Sequence, residues 1–114
     1  MVSARQARGA YGERRAAEWY LDAGYDVLDR NWRDGRAGEI DLVVARPGLI
    51  VVVEVKARAT DAYGVAEAVT PAKQARLRRL AAAWLRAHPA ARGEVRFDVV
   101  CVVGARLEVI EGAF

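Results

Sequence analysis

The sequence predicts an α/β fold in which a central mixed β-sheet is flanked by helices. Three observations lead there. A helical pattern opens the chain; two β-branched runs separated by Pro47-Gly48 follow it; and a second helical pattern after Thr70-Pro71 leads into two further strands. A hairpin inside a sheet, with a helix from each side of it in sequence, is a layered arrangement of helices on a sheet.

The first helix is read over Ala4 to Ala23 and ended by Gly24, with an apolar stripe of Ala10, Ala16, Ala17 and Tyr20 into which Glu13 falls. A strand from Asp26 to Asn31 runs into a loop, Trp32-Arg33-Asp34-Gly35-Arg36-Ala37. The hairpin strands are Glu39 to Arg46 and Leu49 to Ala57. Leu49-Ile50-Val51-Val52-Val53 does not alternate, so both its faces are expected to be covered, which marks the central strand. Arg58 to Glu67 reads as loop with a short strand at most. Thr70 as N-cap and Pro71 in the first turn open the second helix, which Pro89 stops after His88. Its stripe is Leu77, Leu80, Ala81, Trp84 and Leu85. Val95 to Val103 and Arg106 to Ile110 form the last strands, joined through Gly104-Ala105.

The totals fit one domain spanning residues 1–114: 18 Lys+Arg against 15 Asp+Glu, a net charge of +3, and 54% hydrophobic residues in 114. No apolar run approaches the roughly 20 residues that span a bilayer, so no membrane association is expected. Met1 to Arg8 is polar and lacks a signal-peptide core, and the expected address is the cytoplasm. Cys101 is the only thiol, His88 the only imidazole and Ser3 the only serine. An internal disulfide, a Cys/His zinc site within one chain and a Ser-His-Asp hydrolase are therefore excluded or close to it. No Gly-rich phosphate loop is present. Carboxylates, Lys56 or Lys73, and a borrowed metal ion are left to carry any chemistry.

With Pro47-Gly48 as a two-residue turn, Arg46 pairs with Leu49. Counting back then puts Asp41 opposite Glu54 and Glu39 opposite Lys56, all on one face. Carboxylates facing each other repel unless a cation lies between them. Mg²⁺ suits such a site, since it binds one or two carboxylates and leaves room for water and phosphate oxygens. Such a group fits phosphodiester hydrolysis, with Lys56 either taking the proton of the attacking water or stabilising charge on the phosphoryl group. Glu13 is the supporting clue, because a carboxylate in an apolar stripe is expensive to bury unless it reaches the ion. Its other reading is a cap or an ion pair with an arginine. Lys73, at the start of the second helix, either reaches a phosphate there or rests its stem on Leu77 with its charge in water. Glu39 either supports the site or pairs with Lys56.

Gly38-Glu39-Ile40-Asp41-Leu42 and Val53-Glu54-Val55-Lys56-Ala57-Arg58 resemble the Asp…Glu-x-Lys signature of the restriction-endonuclease-like superfamily, PD-(D/E)XK, whose core is αβββαβ. Gly12-Glu13, Gly24-Tyr25, Asn31-Trp32-Arg33, Tyr63-Gly64, Lys73, Arg96-Phe97-Asp98 and Ala113-Phe114 extend the likeness to the YraN family of bacterial proteins, itself similar to archaeal Holliday junction resolvases. Ile40 stands where the superfamily pattern has Pro. The resemblance implies Mg²⁺- or Mn²⁺-dependent cleavage of branched or flapped DNA in repair or recombination. Glu13, Asp41, Glu54 and Lys56 fall on catalytic positions. The ion would be held by Asp41, Glu54, the Val55 carbonyl and Glu13, and a homodimer would supply two sites.

Short patterns of this kind also arise by chance, but the doubly apolar run before Glu54 is unlike a solvated edge. Arg33, Arg36, Arg58, Arg76, Arg78 and Arg79, with Arg5, Arg8, Arg14, Arg15 and Arg30, are candidates for a phosphate-binding surface, or simply a solvated face of an Arg-rich chain. Asp98 is expected to be structural, Cys101 to lie in the core and His88 to meet the last carbonyls of its helix. Two rival functions stay open: a non-catalytic nucleic-acid-binding module, and an accessory interaction subunit of a recombination complex.

Overall fold

The structure, a computed structural model, describes residues 1–59 and 69–114. In chain order the elements are α1 (Ala4–Asp22), β1 (Asp26–Arg33), β2 (Glu39–Arg46), β3 (Leu49–Arg58), α2 (Pro71–Ala87), β4 (Glu94–Val103) and β5 (Arg106–Ile110). Tyr63-Gly64 and most of the expected Arg58 to Glu67 loop lie outside the described residues.

Each helix starts where its cap dictates. The Ser3 hydroxyl accepts from the Gln6 amide, and the Gln6 side chain accepts from the Ser3 amide, a reciprocal capping box that satisfies two otherwise unpaired donors. Thr70 caps α2 by accepting from the Lys73 amide, with Pro71 in the first turn. Leu77, Leu80, Ala81 and Trp84 are buried along α2. Each of its large apolar side chains contributes roughly 1.5–3 kcal/mol through burial.

The sheet order is β1-β2-β3-β4-β5, with β3 and β4 parallel and every other pair antiparallel. The central place of β3 is the one its apolar run requires. Val51 and Val53 join Ala16, Ala17 and Tyr20 under α1, while Ile50 and Val52 join Leu77, Leu80 and Trp84 under α2. The first six elements form the αβββαβ core, and β5 adds an antiparallel edge to β4.

Two local readings are corrected. Trp32 and Arg33 belong to β1, because Trp32 pairs with Ile40 and Arg33 with Glu39, and Trp32 packs against the α2 cluster. Ala10 is exposed. It overhangs a cleft beside Asn31 and Asp41 and does not lie on the sheet.

Asp98, 1% exposed, ties the far end of the molecule together. Its carboxylate accepts from Arg96 through both Nε and Nη2, from the Tyr20 hydroxyl and from the Gly112 amide. Cys101 is buried, and His88 Nδ1 lies 2.7 Å from the Trp84 carbonyl at the end of α2. The three residues take the structural places expected of them.

Candidate functional site

The pairing of β2 with β3 runs from Arg46↔Leu49 to Leu42↔Val53 and stops there, although β2 begins at Glu39 and β3 continues to Arg58. The expected facing pairs, Asp41 with Glu54 and Glu39 with Lys56, are thus absent from the ladder. Asp41 Oδ2 instead accepts the Val55 backbone N–H at 2.8 Å. The side chain takes over one edge of β3 that β2 has left.

Glu13 reaches this gap from α1 because α1 comes unusually close to the sheet. A Cβ on Gly12 would lie 2.7 Å from the Ala57 Cβ, so only glycine permits the approach. Neither reading of Glu13 as a helix cap or an arginine partner holds: its Oε1 accepts from Asn31 Nδ2 at 2.8 Å. Asn31 is the feature that sequence reasoning missed. It lies in β1 between the pairs Arg30↔Leu42 and Trp32↔Ile40, at φ 51, the one non-glycine positive φ among the described residues. Asparagine tolerates that left-handed conformation better than most residues, and beyond its place in the Asn31-Trp32-Arg33 motif of the resemblance this was the signal the sequence offered.

Glu39 turns to Arg33, its cross-strand neighbour, with Oε2 3.3 Å from Nε, and not to Lys56. One carboxylate oxygen each of Glu13, Glu39 and Asp41 lies within 4.8 Å of the others. Glu54, 9% exposed, stands outside that group of three and pairs with Lys56, Oε1 to Nζ 3.3 Å. By strand alternation from Val52, Glu54 falls on the α2 side of the sheet while Glu13 arrives from the α1 side. Asp41 stands between them. Burial pushes its carboxyl up to about 7, the charge of Glu54 adds to the rise, the Val55 N–H opposes it, and Glu13 and Glu39 add further. Glu13 is also raised, first by burial and then by Glu39.

Cations flank the acids. Lys73, in the first turn of α2, is held below the usual lysine range chiefly by the Lys56 ammonium. Arg76 lies against Gly38, its Cδ 3.5 Å from where a Cβ there would stand. Arg58 lines a cleft of about 370 Å³ with Lys56, Val55, Asp41 and Glu13. Arg33 and Arg36 are exposed where β1 leaves for β2, whereas Arg78 lies over the Phe97 and Phe114 rings, 5.2 and 5.3 Å from their centroids. Arg79 is exposed on the helix side opposite Leu77 and Leu80.

Hard oxygen donors in a tight group, with an ammonium pair alongside, fit a small divalent cation and exclude the thiol- and imidazole-rich sites of softer metals. Fold and site together define an α/β protein with a restriction-endonuclease-like core that carries its acids where β2 and β3 part. Residues 12–102 match the family described as "Uncharacterised protein family UPF0102", and the chain belongs to that family. It is 50% identical to a UPF0102 protein of Beutenbergia cavernae, over 97% of this chain and 98% of that one. It is 48% identical to another from Clavibacter michiganensis, over 98% and 99%, and 53% identical to one from Kineococcus radiotolerans, over 89% and 84%. No helix among the described residues is long and apolar enough to cross a membrane.

Proposed function

We propose that this protein is a Mg²⁺- or Mn²⁺-dependent cytoplasmic endodeoxyribonuclease that hydrolyses phosphodiester bonds in branched or flapped DNA, in repair or recombination. The observation that carries the reading is the meeting of Glu13, Glu39 and Asp41 oxygens within 4.8 Å beside the ion pair of Glu54 and Lys56. Asp41, Glu13 and Glu39 would hold the ion, with Glu54 and the Val55 carbonyl as adjoining donors. Once bound, such an ion polarises a phosphoryl oxygen and acidifies water.

The chain's own residues do the rest. Lys56, fixed by Glu54, orients or deprotonates the attacking water and balances the charge that builds on the phosphoryl oxygens. Lys73, in the first turn of α2 beside Lys56, would add a second cation facing the phosphate at the same edge. Asn31 holds the Glu13 carboxylate toward Asp41. A junction has two strands to cut, and a two-fold homodimer would present two such sites.

The test is a panel of labelled flaps, forks, four-way junctions and plain duplexes incubated with each metal. The expected result is nicking of branched DNA that Glu54→Ala or Lys56→Ala abolishes, with folding and most DNA retention intact. Cleavage persisting in either variant would overturn the mechanism. Retention of DNA without any cleavage would make the protein a binding module, and loss of both would make it an interaction subunit.

A further inference from the structure

The acids are a wall between two clefts. On one side lies the cleft of about 370 Å³ with Arg5, Lys56 and Arg58; on the other is a second of about 260 Å³ lined by Arg14, Arg30 and Asn31. Glu13 and Asp41 line both. The second cleft opens where Asn31, at φ 51, interrupts the regular run of β1 across from Asp41 and turns its amide to Glu13.

Resting on the nuclease reading above, we propose that the Arg14/Arg30 cleft is a phosphate subsite for the substrate strand beyond the cut. The strand then crosses the acids with a cationic groove on each side, and the bond attacked is internal, not terminal. A site for a free nucleotide or a strand end would be closed on one side. Here both sides are open, and each has guanidinium groups at its rim. Arg30 is exposed and, among the described residues, its guanidinium has no ion pair or hydrogen bond; that of Arg14 lies only over the Tyr11 ring, 6.0 Å from its centroid. With Glu13 and Asp41 on the shared wall, a phosphate entering this cleft meets carboxylates as well as arginines. Its binding there therefore depends on a divalent ion neutralising the acids.

The experiment uses the full chain carrying Lys56→Ala, which on the nuclease reading does not cut, and reads binding of a fluorescent flap DNA by anisotropy across a salt series in Mn²⁺. Adding Arg14→Ala and Arg30→Ala is expected to weaken binding about tenfold and to flatten the salt slope by about 1, the contribution of one or two phosphates. In EDTA the same pair changes binding little. Arg86→Ala with Arg92→Ala, at the end of α2 and before β4, is the control and alters neither quantity. Replacing one phosphate at a time by a neutral methylphosphonate locates the contact. One position beside the cut weakens the Lys56→Ala protein but has no further effect once Arg14 and Arg30 are gone. Unchanged affinity and slope in the arginine variant, with the Lys56→Ala protein binding normally, would overturn the subsite and leave the nuclease reading standing. Failure of the natural sequence, as well as of the Lys56→Ala protein, to bind would remove the reading and the subsite together.

Discussion

Asp41 receives the Val55 backbone N–H at 2.8 Å just beyond Leu42↔Val53, the last paired residues of β2 and β3. One hydrogen bond does not offset the burial and the neighbouring Glu54, so the carboxyl stays up near 7 against an ordinary 3.8. The folded state therefore holds this proton more tightly than the unfolded chain. Below pH 4 the group is neutral in both states and contributes nothing; as pH rises from 4 to 7 the folded state loses stability, and above 7 the loss is complete. Three pKa units set the loss at no more than about 4 kcal/mol. Asp41→Asn, whose amide oxygen can still accept from Val55, is expected to raise the melting temperature by roughly 5 °C at pH 8 in EDTA and by almost nothing at pH 4. An equal shift at both pH values would refute the charge argument.

The approach of α1 to β3 at Gly12 gives a second prediction. A methyl placed 2.7 Å from the Ala57 Cβ forces the helix off the sheet, and Gly12→Ala is expected to destabilise by about 1–3 kcal/mol in urea titration despite its better helix propensity. Because the clash is with one methyl group, Ala57→Gly in the same chain should recover most of that loss. A double variant no more stable than Gly12→Ala would place the cause elsewhere.

What the sequence disclosed follows from which signals are periodic. The cap at Thr70, the turn at Pro47-Gly48, the doubly apolar β3 and the αβββαβ order rest on local chemistry or on repeating burial, and the structure matches them; the capping box at Ser3 was not read. The acids were found as residue types, but their partners were not. A register counted back from Arg46↔Leu49 assumes an unbroken ladder, and this one breaks one pair before Asp41 and Glu54. The same count set Glu39 opposite Lys56, whereas β1 extends far enough to bring Arg33 beside it; the other reading of Glu39, in support of the site, fits its place in the acidic group. Asn31 reads as an ordinary polar residue at a strand end until its φ is known.

Around Asp98 the prediction separates a lost hydrogen bond from an orphaned charge. Tyr20→Phe removes the hydroxyl that donates to Oδ2 at 2.7 Å but leaves Asp98 with Arg96 and the Gly112 amide, a loss of about 1–2 kcal/mol. Asp98→Ala takes the acceptor from the Tyr20 hydroxyl and the charge partner from Arg96, which keeps only its hydrogen bond to the Tyr25 hydroxyl and the longer contact to Glu111, and about 3–5 kcal/mol is expected. Denaturant midpoints of the two variants measure the difference. Near-equal losses would mean that Arg96 finds a substitute partner in Glu111, whose Oε1 lies 3.8 Å from it.

The membership of Glu39 in the acidic group distinguishes this geometry from one built on Asp41 and Glu54 alone. An ion that binds only the folded chain stabilises it by about 2.7 kcal/mol at a hundred times its dissociation constant, a rise of roughly 10 °C in melting temperature. Mn²⁺ is expected to give that rise with the natural sequence and almost none with Asp41→Asn. Each neutralised acid also changes the metal-free melting temperature, so the quantity compared is the Mn²⁺-induced difference within each variant. Glu39→Gln removes an oxygen donor from the group within 4.8 Å, whereas Glu54→Gln removes a neighbouring charge that Lys56 already balances. The Mn²⁺ rise should therefore fall further in Glu39→Gln. Arg33→Ala, which releases Glu39 from its 3.3 Å ion pair, should increase it. A full rise in Glu39→Gln with none in Glu54→Gln would move the ion to the other side of Asp41.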